Sequence, residues 1–168
     1  MFYFIPIDAP MDNLQYRKAK ASDLPHIIKM LADDELGKQR EKDGVVLDQR
    51  YLEAFERIDA DSNQYLMVVE SENNIVATCH LTFMPSLTRL GTTRMNIEAV
   101  RVSSEVRGQQ IGEWMLASAL NIARLNHASL IQLTTDKKRA DAKRFYERLG
   151  FQATHEGMKY NLLTDETL

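Results

Sequence analysis

The chain has 168 residues, of which 44% are hydrophobic and 27% are charged, as in an ordinary globular domain. Its formal net charge of -3 excludes the strongly basic surface typical of nucleic-acid-binding proteins. No apolar stretch reaches the roughly 18 residues that a membrane span needs, and the single cysteine, Cys79, excludes an intrachain disulfide. We therefore expect one cytoplasmic domain over residues 1–168, with neither a membrane nor a nucleic-acid partner.

The first part of the chain predicts one strand and two helices. Residues 1–14 contain two prolines and are expected to form an irregular lead-in before a strand over residues 16–19. Ser22 is the predicted N-cap of a first helix, which we expect to stop near Gly37. Asp48 is the predicted N-cap of a second helix.

Two apolar segments in the middle of the chain predict a β-hairpin. Residues 65–70 form a short apolar run, and residues 75–84 alternate regularly, as a strand does. Between them the sequence Glu72-Asn73-Asn74 is a turn signal. A loop is expected over residues 85–91.

The next segment predicts a strand, a turn and a long helix. The strand covers residues 95–102, and apolar spacing indicates a helix from about 109 to 126. Arg107 and Gly108 lie between them. A helix N-terminus attracts anions, a glycine allows close approach and an arginine adds a cation, so the turn suits a phosphate or pyrophosphate. An ordinary strand–turn–helix remains the alternative, since neither G-x-G-x-x-G nor the Walker pattern is present.

The apolar alternation of this strand slips by one residue near Ala99. Met95 and Ile97 share one face, yet Val100 and Val102 continue the apolar run out of phase. A β-bulge would produce this slip. A strand that helices cover on both faces would produce it as well, and both interpretations stay open.

The last part of the chain predicts a strand over residues 130–135 and a helix over residues 139–149, which Gly150 terminates. Two final strands are expected at residues 151–155 and 158–162. The order β-α-α-β-β-β-α-β-α-β-β predicts an α/β or α+β sandwich with a mixed, partly parallel central sheet.

Two motifs of the chain resemble those of the GNAT superfamily of acyl-coenzyme A-dependent N-acetyltransferases. The turn from Arg107 to Gly112 resembles the R-G-x-G-I-G form of motif A, with Gln110 in the place of a glycine. Residues 142–151 resemble the hallmark A-x-x-F-Y-x-x-x-G-F. The resemblance covers about residues 16–162 and agrees with the predicted order of strands and helices.

The resemblance implies transfer of an acetyl group from acetyl-CoA, without a metal, to a primary amine of a small molecule or a protein lysine. The amine would attack directly, with Glu98 as the base and Tyr146 as the acid that protonates the thiolate. For Glu98 the alternative is a structural ion pair with Arg94 or Arg101. For Tyr146 it is simple packing.

The resemblance also implies the cofactor contacts. The backbone of Val100 and Val102 would pair with the pantetheine arm. The residues expected to hold the pyrophosphate are Arg107, Gly108, Gln109, Gln110, Ile111 and Gly112. Because the Gln110 side chain must point away from the phosphates, we expect a weakened affinity. Arg139 stands where many members have asparagine and is a candidate contact for a phosphate or the adenine.

The other polar residues are expected to be structural or solvated. The four histidines, at positions 26, 80, 127 and 155, show no metal-ligand spacing, although His80 and His155 are candidates for the cleft. Cys79 is expected in the core. The acidic run at residues 33–35 predicts a solvated face, or alternatively a rim that attracts a cationic amine.

Three functions are considered. An N-acetyltransferase is the first, and residues 33–47 and 84–95 are where its acceptor is expected to bind. The alternative is a non-catalytic module that senses acyl-CoA or binds a protein. A DNA-binding regulator is disfavoured by the net charge of -3. A homodimer is plausible, as is common in the GNAT superfamily.

Overall fold

The structure, a computed structural model, describes residues 13–33, 37–42, 44 and 46–162. The predicted lead-in therefore lies almost wholly outside the described residues. The chain forms two compact units, of which one ends at Leu133 and the other begins at Thr134. We describe each unit by itself, and the single domain stays a prediction.

The first unit contains a five-stranded mixed sheet in the order β1-β2-β3-β4-β5. Neighbouring strands from β1 to β4 are antiparallel, whereas β4 and β5 are parallel. The strands are β1 (Leu14–Lys18), β2 (Gln64–Ser71), β3 (Asn74–Pro85), β4 (Thr93–Val102) and β5 (Ala128–Leu133). The predicted mixed sheet is thus confirmed, and a helix crosses between the parallel strands β4 and β5.

The helices of this unit are α1 (Leu24–Ala32), α2 (Gln49–Ala60), the single turn α3 (Thr88–Gly91) and α4 (Ile111–Leu125). The prediction of Ser22 as an N-cap is wrong, because residues 21–23 form a 3-10 turn and Asp23 precedes α1. Asp48 does cap α2, and its carboxylate accepts the Arg50 N–H at 3.0 Å. No helix in the described part of the chain is long and apolar enough to cross a membrane.

Helices cover both faces of the sheet. One face packs with α1 and α2 in a cluster of buried residues: Ala19, Leu24, Ile27, Phe55, Leu66 and Val68. Helix α4 contacts β3, β4 and β5, and its Met115, Leu116 and Ala119 are fully buried. Burial of this apolar surface is the main force that holds the layers together.

The predicted hairpin is confirmed. Ser71 pairs with Asn74, which leaves Glu72 and Asn73 as a two-residue turn. Both have left-handed backbones, with φ of 50° and 65°. This combination matches the twist of antiparallel strands, and asparagine tolerates it well.

The prediction that the first helix stops near Gly37 is wrong, because α1 already ends at Ala32. Its role is different. A Cβ at Gly37 would overlap the carbonyl oxygen of Leu31 and would lie 3.2 Å from the Cα of Ala32. The buried glycine therefore allows the backbone to pack directly against the end of α1.

Arg17 connects strand β1 to two carboxylates, one before helix α1 and one on strand β2. Arg17 of β1 contacts Asp23 and Glu70 with N–O distances of 2.6 Å each. Burial alone would raise the pKa of Asp23, but hydrogen bonds from Arg17 and from the Lys20 N–H outweigh it and lower that pKa. The folded state therefore stabilises the charged carboxylate.

The second unit contains the helix α5 (Ala140–Arg148). Gly150 has a φ of 91° and donates its N–H to the carbonyl of Glu147 at 3.0 Å. This is a left-handed C-terminal stop, as predicted for Gly150. The Tyr146 ring contacts those of Phe145 and Phe151 at centroid distances of 5.2 and 5.9 Å.

The two strands predicted at residues 151–155 and 158–162 are wrong. The structure shows no strand over residues 151–162, and residues 152–162 are exposed. Instead of a ladder, the Thr154 N–H donates locally to the carbonyl of Gln152 at 3.0 Å. Apolar alternation makes a strand only where another strand supplies hydrogen bonds, which sequence periodicity does not report.

Candidate functional site

Strand β4 contains the bulge that its alternation indicated. Thr78 of β3 pairs with Arg101, whereas His80 pairs with Glu98, so Cys79 alone lies opposite two residues of β4. Ala99, at this point, has a φ of 51°. The bulge interpretation is confirmed, and a bulge generally bends the strand that contains it.

A tight turn connects β4 to α4. Gly108 has a φ of 81°, and Gln110 is left-handed, with φ of 60° and ψ of 12°. The helix begins at Ile111, slightly later than predicted, and its first described bond runs from the Trp114 N–H to the carbonyl of Gln110 at 3.0 Å. The N–H groups of Ile111 and Gly112 precede that bond and have no acceptor within the helix. Residues 107–110 are exposed, so an anion can reach this helix end.

Gln110 occupies a backbone conformation that favours glycine. A left-handed backbone costs a residue with a side chain about 1–2 kcal/mol. The Gln110 side chain makes no capping hydrogen bond that would offset this cost. The left-handed backbone of Gln110 gives a physical reason for the glycine that the resembling motif has at this place.

Arg107 contacts a carboxylate of its own chain. Its Nη2 lies 2.7 Å from Oδ2 of Asp33, the residue that follows α1. Its Nε donates to the carbonyl oxygen of Val102 at 3.2 Å. Asp33 is therefore ion-paired rather than simply solvated, and the other two members of the acidic run, Asp34 and Glu35, lie outside the described residues.

Glu98 is exposed, although it lies in the middle of the sheet. Directly opposite on β3 lies His80, whose pKa is lowered by burial and raised in part by the Glu98 charge. The alternative ion pair between Glu98 and Arg94 does not form in the described structure. Glu98 is thus a solvent-accessible carboxylate opposite the imidazole of His80, next to the bulge.

Tyr146 and Arg139 belong to the second unit. Tyr146 lies in α5 between two phenylalanine rings, and Arg139 directly precedes that helix. Because this unit is described by itself, the role of Tyr146 as the acid and that of Arg139 as a cofactor contact stay predictions.

Cys79 belongs to the core, as expected. It is fully buried, and burial raises the pKa of its thiol to about 12. A thiol of this kind stays protonated and is a poor nucleophile. Among the described residues, no group of three or more histidine, cysteine, aspartate or glutamate side chains is placed to bind a metal.

A family model described as "Acetyltransferase (GNAT) family" matches residues 28–151. The chain belongs to this family. The match contains β4, the turn, α4 and α5, and it agrees with the resemblance of the two motifs.

Two relatives are each 44% identical to this chain over the aligned residues. The aminoalkylphosphonate N-acetyltransferase of Salmonella typhimurium is 44% identical over 59 residues, which are 35% of this chain and 38% of that protein. A crystal structure described as a transcriptional regulator from Bacillus halodurans C-125 is 44% identical, with a TM-score of 0.85, and the alignment covers 88% of this chain and 99% of that one.

A more distant neighbour shares the fold. It is a Clostridium acetobutylicum protein, described as a predicted acetyltransferase with acetyl-CoA, at 24% identity and a TM-score of 0.68. The alignment covers 89% of this chain and 96% of that one.

Sequence reasoning missed two contacts of the site. The pair of Asp33 and Arg107 joins residues 74 positions apart, and no periodic pattern links them. The neighbourhood of His80 and Glu98 depends on the register of β3 and β4, which the bulge shifts. The slip near Ala99 was the available signal for that register.

Proposed function

We propose that this protein transfers the acetyl group of acetyl-CoA to the primary amine of a small molecule. One observation carries the proposal: Glu98 is an exposed carboxylate immediately before the β4 bulge, on the strand that leads into the turn. Membership of the acetyltransferase family supports the same chemistry.

The turn at residues 107–112 fits the pyrophosphate of acetyl-CoA. It offers exposed backbone, the N-terminus of α4 and the guanidinium of Arg107. Arg107 would exchange the Asp33 carboxylate for a phosphate, since both are anions that a guanidinium binds well. The carbonyl of Val102 would then be released from Arg107 and become available to the pantetheine arm.

In the proposed reaction Glu98 accepts a proton from the acceptor ammonium, directly or through water. The neutral amine nitrogen then attacks the thioester carbonyl, forming a C–N bond. The nitrogen loses its second proton to solvent as the tetrahedral intermediate collapses and the C–S bond breaks. Tyr146 is the proposed donor of the proton that the leaving thiolate takes up. That assignment is supported by the resemblance of residues 142–151 to the family motif.

The acceptor is proposed to be a small amine rather than a protein lysine. The Salmonella relative is named for acetylation of aminoalkylphosphonates. The first unit also has an open depression of about 340 Å³ between the end of α2 and the sheet. Its lining residues include Arg57, Asp61, Gln64 and His80.

The first test is titration calorimetry with acetyl-CoA. The wild type should bind, and Arg107→Glu should lose at least tenfold in affinity, because a charge-assisted contact becomes a repulsion. Arg124→Glu, at the far end of α4, makes the same charge change and should bind like the wild type. Equal affinities for all three proteins would remove the turn from the cofactor site.

The second test is turnover of a small amine, followed by release of the coenzyme A thiol. Glu98→Gln should lower kcat about 10²- to 10⁴-fold near neutral pH, the usual contribution of general base catalysis. Affinity for acetyl-CoA should stay the same. Unchanged turnover would exclude Glu98 as the base.

The non-catalytic alternative is decided by the same pair of assays. Tight binding of acetyl-CoA without turnover of any amine would favour a sensor. A cytoplasmic setting, which the lone cysteine supports, and a homodimer both stay predictions.

A further inference from the structure

Three polar side chains form a row on one face of β4. Arg94, Asn96 and Glu98 alternate with Met95 and Ile97, which are buried on the opposite face. Side chains two positions apart share a face, so the row points to the same side of the sheet. None of the three is fully buried. The row runs along β4 and ends at the carboxylate that we propose as the base.

The row continues across to β3. Arg94 pairs with Met84, Asn96 with Thr82 and Glu98 with His80. Side chains of directly opposed residues are neighbours on the same face. His80 also lines the depression at the end of α2, so the row borders that open space.

Two nitrogen atoms in this region are buried without a hydrogen-bond partner in the described structure. They are Nε of Arg94 and Nε2 of His80. A buried polar group without a partner costs free energy, and native proteins seldom leave such groups unsatisfied. The guanidinium of Arg94 also has no ion pair among the described residues. It is therefore a cation that lacks an anion.

We propose that the acceptor amine carries an anionic group, a phosphonate or a carboxylate, and that Arg94 binds it. The proposal rests on the acetyl transfer proposed above. Glu98 would draw the ammonium end, and Arg94 would bind the anionic end. The Cα atoms of Arg94 and Glu98 are four steps apart along the strand, about 13 Å, and both long side chains can lean along the strand toward each other. A short alkyl chain is then enough to join the two ends of the acceptor.

The charges of the row also select against other amines. A polyamine would bring a second ammonium next to Arg94, where two cations repel each other. A neutral amino alcohol would leave the guanidinium without an anion. An arginine fork matches the oxygen geometry of a phosphonate or carboxylate and binds either with paired hydrogen bonds.

The experiment compares four acceptors of similar length with the full chain and acetyl-CoA. They are 2-aminoethylphosphonate, β-alanine, 2-aminoethanol and 1,4-diaminobutane. For the wild type, kcat/KM should be at least tenfold higher for one of the two anionic amines than for 2-aminoethanol. The ranking of phosphonate against carboxylate identifies the anionic group.

Arg94→Gln should reduce that preference by about 10- to 100-fold, mainly through KM, because it removes a charged hydrogen-bond donor. Arg94→Lys, which keeps the charge but loses the fork, should lie between the two. Arg124→Gln, an exposed arginine of α4, serves as the control and should keep the wild-type preference. Comparing ratios between variants cancels the different basicities of the amines.

The outcomes separate the two proposals. Acetylation of 2-aminoethanol or 1,4-diaminobutane as efficiently as of the anionic amines overturns the role of Arg94 and leaves acetyl transfer standing. The same holds if Arg94→Gln keeps the preference. If none of the four amines is acetylated, acetyl transfer to small amines is itself overturned. Where Arg94→Gln does not fold, the wild-type ratio still tests the anionic acceptor, and Arg94→Lys tests the role of Arg94.

Discussion

Replacement of Gln110 by glycine should stabilise the protein. Gln110 has a left-handed backbone at the start of α4, and its side chain makes no capping hydrogen bond. Glycine removes a strain of about 1–2 kcal/mol. It also adds freedom to the unfolded chain, which costs about 0.5–1 kcal/mol. The net gain should be about 0.5–1 kcal/mol, or about 1–4 °C in Tm for a protein of this size.

The neighbouring residue provides a matched control. Gln109 is exposed as well, but its φ is not positive. Gln109→Gly should therefore suffer only the entropic cost of glycine, and its Tm should fall. The two variants have the same composition, so the difference between their Tm values, about 2–8 °C, reports the strain at Gln110.

Scanning calorimetry of the wild type and both variants measures these shifts. Equal Tm values for the two variants would refute the argument, because the strain would then be absent. The variant also tests the weakened affinity expected from the sequence. Gln110→Gly clears a side chain from the exposed turn, so acetyl-CoA should bind more tightly by calorimetric titration.

Three further predictions concern packing, the turn and acid stability. In urea unfolding, Gly37→Ala should lower the free energy of unfolding by about 1–3 kcal/mol, because the new Cβ would overlap backbone atoms. As a control, Gly44→Ala should change it by no more than about 0.5 kcal/mol, since the nearest atom to its Cβ would be 3.8 Å away. Equal changes for the two variants would contradict the close packing at Gly37. Asp33→Asn should lower the Kd for acetyl-CoA, because it frees Arg107, but by no more than about fivefold, since an exposed ion pair contributes at most about 1 kcal/mol. Asp59→Asn, which removes the exposed partner of Lys18, should leave the Kd unchanged. A higher Kd for Asp33→Asn would contradict this and mean that Asp33 holds Arg107 in its binding position. Because the folded state lowers the pKa of Asp23, the Asp23 carboxylate stabilises the protein above its unfolded pKa of about 3.9, and this contribution is lost as the pH falls below that value. Asp23→Asn should therefore flatten the decline of the urea midpoint between about pH 5 and pH 2. Parallel curves of urea midpoint against pH for the wild type and the variant would contradict this.

The sequence was most informative where local patterns and tertiary structure agree. The cap at Asp48 and the turn at Glu72-Asn73 are local, so their side chains and backbone preferences were enough to predict them. The bulge near Ala99 was detectable because it disturbs a period of two in a strand with one buried face. Each of these features leaves a mark within a few residues.

The errors arose where a distant segment decides the outcome. Residues 151–162 have strand-like alternation, but alternation does not supply the partner that a strand needs. Gly37 was interpreted as a helix stop, whereas a glycine is needed there because the carbonyl of Leu31 leaves no space for a Cβ. Arg107 was correctly placed in the turn, yet its partner Asp33 comes from the other end of the unit's sequence. Such contacts depend on the fold as a whole.

The bulge connects the two ends of the proposed site. Before it, Arg94, Asn96 and Glu98 face one side of the sheet in regular alternation. After it, the phase of β4 has shifted, and the strand leads through Val102 to the turn. A bulge re-aims the strand and leaves an extra residue outside the ladder. Without the bulge, regular pairing would run along the whole of β4. The row of Arg94, Asn96 and Glu98 and the backbone expected to meet the cofactor would then lack this change of direction between them. Deleting Ala99 should therefore restore regular pairing, with Val100 alone opposite Cys79 and the flanking residues on their present faces. The change of direction would then be lost, which should abolish turnover even in a chain that still folds.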